Sequence, residues 1–467
     1  ASSYALSADT NSVAEGGTIT YTITANAAVS SDTTFTYNVA GDTNGATVDK
    51  ATSGDTDSLS GNVVMASGSS TVTFAIAASA DSVAEGLEGI KVSVFDSNNA
   101  VIGSISALIS NNASLENTVT NLTTATDDVV AGAGKDTIGA AVGTNSLPSN
   151  GTTAQAGDTI DGGLGMDTLK LSISGTHTAA QTLSNLTVNN VEVIAVSNFE
   201  TSNNLDTIDL SLVTGVTEIG LVASGGDGDV TFSNVPNLMT INASAGNQTL
   251  TVTYAAAVVA GPADANTINV SGYTGTISNR SIENITLNSG TVKSVLTALT
   301  SNEAKSLTIT GDTKLTITNA LGAALKTVDA SATTAGVDLT MATTATSIIT
   351  GGSGDDRVNY DSSLNAAGAD FFDGGAGNDT IIVDLSTTMT PVSVAGITNV
   401  ETLEVSTLQA TFFDADIIPT ITTVRASGTS DGITGSKIRF TDLPNNIDIL
   451  VRGTEGVEGQ LAINTGA

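Results

Sequence analysis

Aspartate and glycine recur in this chain at a spacing suited to holding a hard cation. The nonapeptide G-G-x-G-x-D-x-U-x, with U a large apolar residue, fits in full at residues 162–170 and 374–382. It fits at 351–359 with Val358 as U, and more weakly at 131–139, where alanine takes the first place. One repeat length before the two full copies, the sixth place is again aspartate, Asp158 and Asp370, followed by Ile160 and Phe372 as U. In such turns glycine lets backbone carbonyls face one point, aspartates of successive turns add carboxylate oxygens, and U points inward. An all-oxygen, carboxylate-rich shell suits calcium.

These turns sit in a longer cassette that is written twice. Residues 122–136, 156–172 and 188–197 form the first writing, and 342–356, 367–386 and 397–406 the second, with order and flanks retained. Glycine is common here, 48 residues in all, so one match would mean little. Two matches in register with a preceding aspartate mean more.

The elements that must position these turns read as β-structure throughout. Residues 1–112 alternate apolar and polar at 17–25, 33–39, 70–78 and 90–96, the period-two pattern of an antiparallel β-sandwich. A linker and the first cassette follow over 113–172, with 111–126 the expected hinge. Short alternating segments then recur at 169–172, 194–197, 221–224, 241–244, 268–271, 285–288, 307–310 and 328–331, and after the second cassette at 403–406, 424–427 and 449–452. Their spacing predicts a β-solenoid over 173–341, interrupted by the second cassette at 342–386 and continued over 387–467. The expected fold class is therefore all-β, a sandwich followed by a solenoid with calcium-binding turns. One stretch, 291–306, has the composition of a short helix on one rung.

Composition narrows the function. With a net charge of −33 and 14 basic residues among 467, the chain has no cationic patch to bind a nucleic acid. Self-repulsion at that charge opposes compaction until cations neutralise it. Hydrophobic residues at 40% exclude wholesale disorder, while 3% aromatics and no tryptophan favour thin stacked sheets over a thick core. The absence of cysteine excludes disulfides and zinc thiolate sites. No apolar run is long enough to span a bilayer as a helix, and a start at Ala1 reads as a mature or trimmed chain.

The paired cassettes, followed by NVExLxVS-like strands, resemble the repeats-in-toxin (RTX) proteins, and among them the large, acidic, cysteine-free surface-layer proteins and adhesins of Gram-negative bacteria. The resemblance spans residues 122–467. It implies calcium as the cofactor, one-step secretion, and folding outside the cell. By motif position it implies Asp136, Asp167, Asp356 and Asp379 as ligands, joined by Asp158 and Asp370 of the preceding turn and by Asp127 at the same place before the first copy. Gly132, Gly134, Gly162, Gly163, Gly165, Gly351, Gly352, Gly354, Gly374, Gly375 and Gly377 would shape the loops. The chain departs from the family in its short runs of two turns, in Ser347 standing before the copy at 351, and in the lack of a recognisable secretion signal in LAINTGA. In the sandwich, SVAEG at 12–16 and 82–86 and the segment 81–94 resemble the Calx-β type, which implies Asp81, Glu85 and Glu88 as carboxylates of an acidic loop, calcium-binding or merely solvated.

Among the activities known on such chains, the HExxH metalloprotease is excluded because His177 is the single histidine, expected as a surface residue in a polar loop. No base stands beside a G-x-S-x-G nucleophile. A polysaccharide lyase would need a basic residue beside calcium and would meet an acidic polymer with an acidic chain. Asp355 and Asp356 have the makings of a glycosidase pair, but metal ligation explains them with fewer assumptions. The expectation is a non-enzymatic extracellular protein that self-assembles with calcium into a bacterial surface layer. Its partners would be further copies of itself, through the open ends of the solenoid, and a cell-surface polysaccharide through an anchor. The second expectation is an adhesin or matrix protein that binds a glycan or another cell.

Overall fold

The computed structural model describes residues 2–463 apart from 43–48, 52–53, 81–86, 111–116, 144–150, 178–181, 202–205, 226–227, 343–345, 361–369, 385–394, 408–410, 415–417, 428–436, 442–446 and 453–459. Among the described residues every extended regular element is a strand. One compact unit comprises Ala1–Thr120, Val129–Ile138 and Asp161–Thr168, and the second Asn121–Asp128, Gly139–Ile160 and Leu169–Ala467.

The first unit contains a β-sandwich. Tyr4–Ala8, Thr18–Ala25 and Thr71–Ala77 make one antiparallel sheet. The other orders Ser12–Ala14, Val101–Ser110, Glu88–Phe95, Thr33–Gly41 and Ser60–Met65. Alternation does the sorting: Ile19, Tyr21, Ile23 and Ala25 are buried while the threonines between them face outward. Ile19, Tyr21 and Ile76 of the first sheet share a core with Val39, Ile90, Val92 and Ile109 of the second. Phe74 stacks on both Tyr21 and Tyr37, with ring centroids 5.3 and 4.4 Å apart. All four expected strands are present, and Tyr4–Ala8, Ser60–Met65 and Val101–Ser110 join them.

The second unit is a parallel β-solenoid. Its turns add strands to a 13-stranded sheet, which is parallel from Val193–Glu200 to Ile397–Thr398. The opposing strands belong first to a six-stranded sheet ending at Ala298–Thr300, then to an eight-stranded sheet running from Ser294–Leu296 to Asp448–Arg452. A single column of side chains shows why the sequence stacks. Ile194, Ile219, Ile241, Ile268, Leu287 and Ile309 lie opposite one another in consecutive strands, all buried. Each such side chain contributes about 1.5–3 kcal/mol by leaving water. On the outer face Asn242, Asn269 and Asn288 align in the same strands, and each side-chain amide donates to the preceding one at 2.9 and 3.3 Å.

Three sequence expectations are corrected in detail. The repeats at 194 and 221 pair two residues out of their motif alignment, Val196 opposite Leu221, which keeps the same face inward because side chains alternate with period two. The repeats at 403, 424 and 449 lie in the eight-stranded sheet, whereas the eight earlier ones lie in the 13-stranded sheet. Helix does not form at 291–306; Ser294–Leu296 and Ala298–Thr300 are strands. There Val295 N–H donates to Tyr273 O at 3.0 Å and Leu296 is buried. Ladder hydrogen bonds and burial together outweigh local helix propensity.

Candidate metal-binding turns

Every nonapeptide folds as a tight turn that ends in a buried apolar residue. The U positions Ile138, Leu169, Val358 and Ile381 are fully buried, as are Ile160 and Phe372 before them. Glycines make the stacking possible. Gly163 has φ +85°, and a Cβ there would fall on the carbonyl oxygen of Gly132 one turn away. Gly375, φ +89°, meets the carbonyl of Gly352 in the same way. Only glycine tolerates both the left-handed backbone and the close approach. Gly134 with Gly165 and Gly354 with Gly377 repeat the arrangement, a Cβ on Gly351 would meet the carbonyl oxygen of Gly374 one turn later, and Gly162 opens the turn that carries Gly163. The result is two columns of stacked turns lined by carbonyl oxygens.

The sixth-position aspartates bind neighbouring turns to one another. In the first unit, Asp136 accepts the N–H and hydroxyl of Thr118, both at 2.6 Å, and the N–H of Gly132 at 3.0 Å. Its own N–H donates to Asp167 at 2.7 Å. In the second unit, Asp158 accepts the N–H of Asp127 at 2.9 Å and of Gln155 at 2.7 Å, while Asp127 accepts both the N–H and the hydroxyl of Thr123. Asp370 accepts the N–H of Ser347 at 3.0 Å. Asp356 accepts from Val337 and Gly352, both at 2.7 Å. The N–H of Asp356 donates to Asp379 at 2.8 Å, and that of Asp379 to Glu401 at 2.8 Å. The contacts between turns follow one rule: the carboxylate takes the amide of a residue one turn earlier, while Thr123, Gly132, Gln155 and Gly352 donate from within the same turn. A carboxylate has about four lone-pair sites, so these bonds leave oxygen capacity for a cation.

In the second column burial and charge raise two carboxyls. Burial, and then the charges of Asp356, Glu401 and Asp355, push the Asp379 carboxyl up to about 7, against the hydrogen bond from Asp356 N–H. Burial also raises Asp356, although the amides of Gly352 and Val337 and the charge of Lys314 oppose it. Asp379 Oδ2 is buried and has no hydrogen-bond partner among the described residues. A buried, unsatisfied carboxylate oxygen among further carboxylates and stacked carbonyls fits a calcium ion, a hard cation that takes oxygen ligands alone. Asp379, paired with Asp356 on one side or Glu401 on the other and joined by stacked carbonyls, would hold it, and its charge would offset theirs.

The sequence did not reveal Glu401 or Thr118. Glu401 lies outside the nonapeptide, in the NVE of the second cassette's last segment, and Thr118 precedes the first cassette. Of the sandwich carboxylates, Glu88 begins the strand Glu88–Phe95 and is buried, while Asp81 and Glu85 lie outside the described residues. His177 corrects the expectation of a surface residue: it is 2% exposed, with Nδ1 2.9 Å from Glu200. Among the described residues, His177, Glu200 and Asp206 form the single group in which ligand atoms of three such residues lie within 4.8 Å of one another. The cassette carboxylates instead chain in pairs from turn to turn.

No family model matches the chain, and no curated protein is detectably similar to it in sequence.

Proposed function

We propose that this chain is an extracellular structural protein whose Gly/Asp turns bind calcium, and that it assembles through calcium into a surface layer on a bacterial cell. The observation that carries the reading is the second column of turns, where Asp356, Asp379 and Glu401 chain together in a protein of net charge −33. Without a cation such a column stores repulsion; with one, the turns become rigid. Calcium-poor surroundings keep the turns open, and millimolar calcium closes them. Acidic outer faces of neighbouring copies then meet through further calcium ions rather than repel. The role is non-enzymatic: the buried cassette aspartates serve as acceptors for backbone amides, which leaves them poor candidates for an acid and nucleophile pair.

Negative-stain electron microscopy of the full chain in chelator and in millimolar calcium tests assembly. Ordered sheets or filaments that form only with calcium support the proposal. Dispersed particles in both conditions contradict the layer, and would favour a calcium-stabilised adhesin if the turns still bind calcium.

A further inference from the structure

His177 sits just beyond the strand Thr168–Gly175, Glu200 ends the adjacent strand Val193–Glu200, and Asp206 begins Asp206–Asp209 in the six-stranded sheet. The three side chains therefore meet inside one corner of the solenoid, remote in type from the glycine turns. All are at most 2% exposed. His177 Nδ1 lies 2.9 Å from Glu200 Oε2 and 3.4 Å from Asp206 Oδ1. Asn198, fully buried beside them, orients the pair: its amide donates to Asp206 Oδ2 at 3.2 Å, and its Oδ1 accepts the N–H of Glu200 at 3.0 Å.

Charge and geometry both ask for more than a proton here. Besides His177, the only basic residue between Asp136 and Asn279 is Lys170, which is exposed. Stacked turns bring together residues roughly one rung apart, so an imidazolium would supply at most one positive charge against two buried carboxylates. A proton on Nδ1 points along one line, yet two carboxylate oxygens face that nitrogen. A metal ion placed between them takes all three. Tetrahedral ligands at about 2.05 Å from zinc stand about 3.3 Å apart, close to the two nitrogen–oxygen spacings, and all three ligand atoms lie within 4.8 Å of one another.

We infer that His177, Glu200 and Asp206 form a buried site for a first-row divalent ion of the zinc class, distinct from the calcium turns. The nitrogen donor sets the preference. Imidazole with carboxylates suits zinc or cobalt, whereas calcium selects oxygen alone. Asn198 plays the supporting part, fixing the Asp206 carboxylate as a hydrogen-bonded neighbour does in other metal centres. The ion would join the 13-stranded and six-stranded sheets at a corner of the solenoid, and would enter as the chain folds.

The single histidine makes the test specific. The tag-free full chain is refolded from urea with calcium in excess and zinc or cobalt at low equivalents, desalted, and assayed for metal content and zinc-edge X-ray absorption. About one zinc per chain with one imidazole scatterer is expected, and His177→Gln lowers zinc retention by at least about tenfold, with calcium content and circular dichroism unchanged. Zinc that shows no imidazole scattering, or retention well below one equivalent in the wild-type chain, overturns the site. The wild-type absorption spectrum decides even where the variant fails to fold. Loss of zinc with calcium binding intact leaves the function proposed above standing, and loss of calcium binding alone leaves this site standing.

Discussion

The two columns of Gly/Asp turns share a motif but differ in what lies beside it. In the first, Thr118 donates both an amide and a hydroxyl to Asp136, whose own N–H donates to Asp167. In the second, the chain of caps runs from Val337 through Asp356 and Asp379 to Glu401, so carboxylate follows carboxylate. The same nonapeptide thus starts from two neutral donors of Thr118 in one place, and in the other leads on to the further carboxylate of Glu401. On the proposed reading, the neighbouring residue outside the motif is what would make the second column the more cation-dependent.

Chelation should have the largest effect. Each site saturated at a hundredfold excess over its Kd adds about 2.7 kcal/mol, so urea unfolding in chelator should show a loss of several kcal/mol, concentrated in the solenoid. Equal midpoints with and without calcium would remove the contrast altogether.

Asparagine substitutions should then act with opposite sign in metal-free protein. Asp136→Asn loses the bond to Gly132 N–H or sets donor against donor, costing about 1–3 kcal/mol in chelator. Asp379→Asn keeps an oxygen for Asp356 N–H and removes a repelled charge. It should raise metal-free stability by roughly 1–2 kcal/mol, since one pKa unit is worth about 1.4 kcal/mol, while abolishing calcium stabilisation of the second column. Denaturant midpoints of both variants, each in chelator and in calcium, check the signs.

The pH dependence sharpens the same point. Because the Asp379 carboxyl is raised to about 7 when folded, its favourable contribution is full below its unfolded value near 4 and is lost as pH rises through 7. Metal-free protein should therefore lose stability between pH 4 and pH 7 at this residue, and Asp379→Asn should flatten that slope. Calcium should reverse it.

The smallest effect expected is at Arg357, half-exposed between Asp338 and Glu404 at 3.4 Å from each. Arg357→Met should cost no more than about 1 kcal/mol, as measured by thermal unfolding.

Much of this fold was legible because period-two alternation writes strands directly. Ile19, Tyr21 and Ile23 in the sandwich, and Ile241 and Ile268 in the solenoid, are buried on the face the alternation assigns. What alternation does not encode is the sheet to which a strand belongs, so the repeats at 403 and 328 looked alike although they lie in different sheets. The glycine turns were legible from the spacing of their own residues. Glu401 was not, since it lies outside the nonapeptide and the cassette's spacing does not say that one turn of the solenoid brings its carboxylate onto Asp379 N–H. His177 was misread for a related reason. Its polar neighbours in sequence suggested solvent, but Glu200 and Asp206, 23 and 29 residues later, bury it at a corner.

Hydrogen exchange of the full chain, read by mass spectrometry in chelator and in millimolar calcium, tests the central claim most directly. Calcium should slow exchange sharply across Ile348–Thr350, Arg357–Tyr360, Thr380–Asp384 and Thr402–Thr407, with a smaller change at Asp128–Val130 and Thr159–Asp161 and none in the sandwich strands. Exchange in the second column that is equal in both conditions would contradict the assignment of its aspartates to calcium.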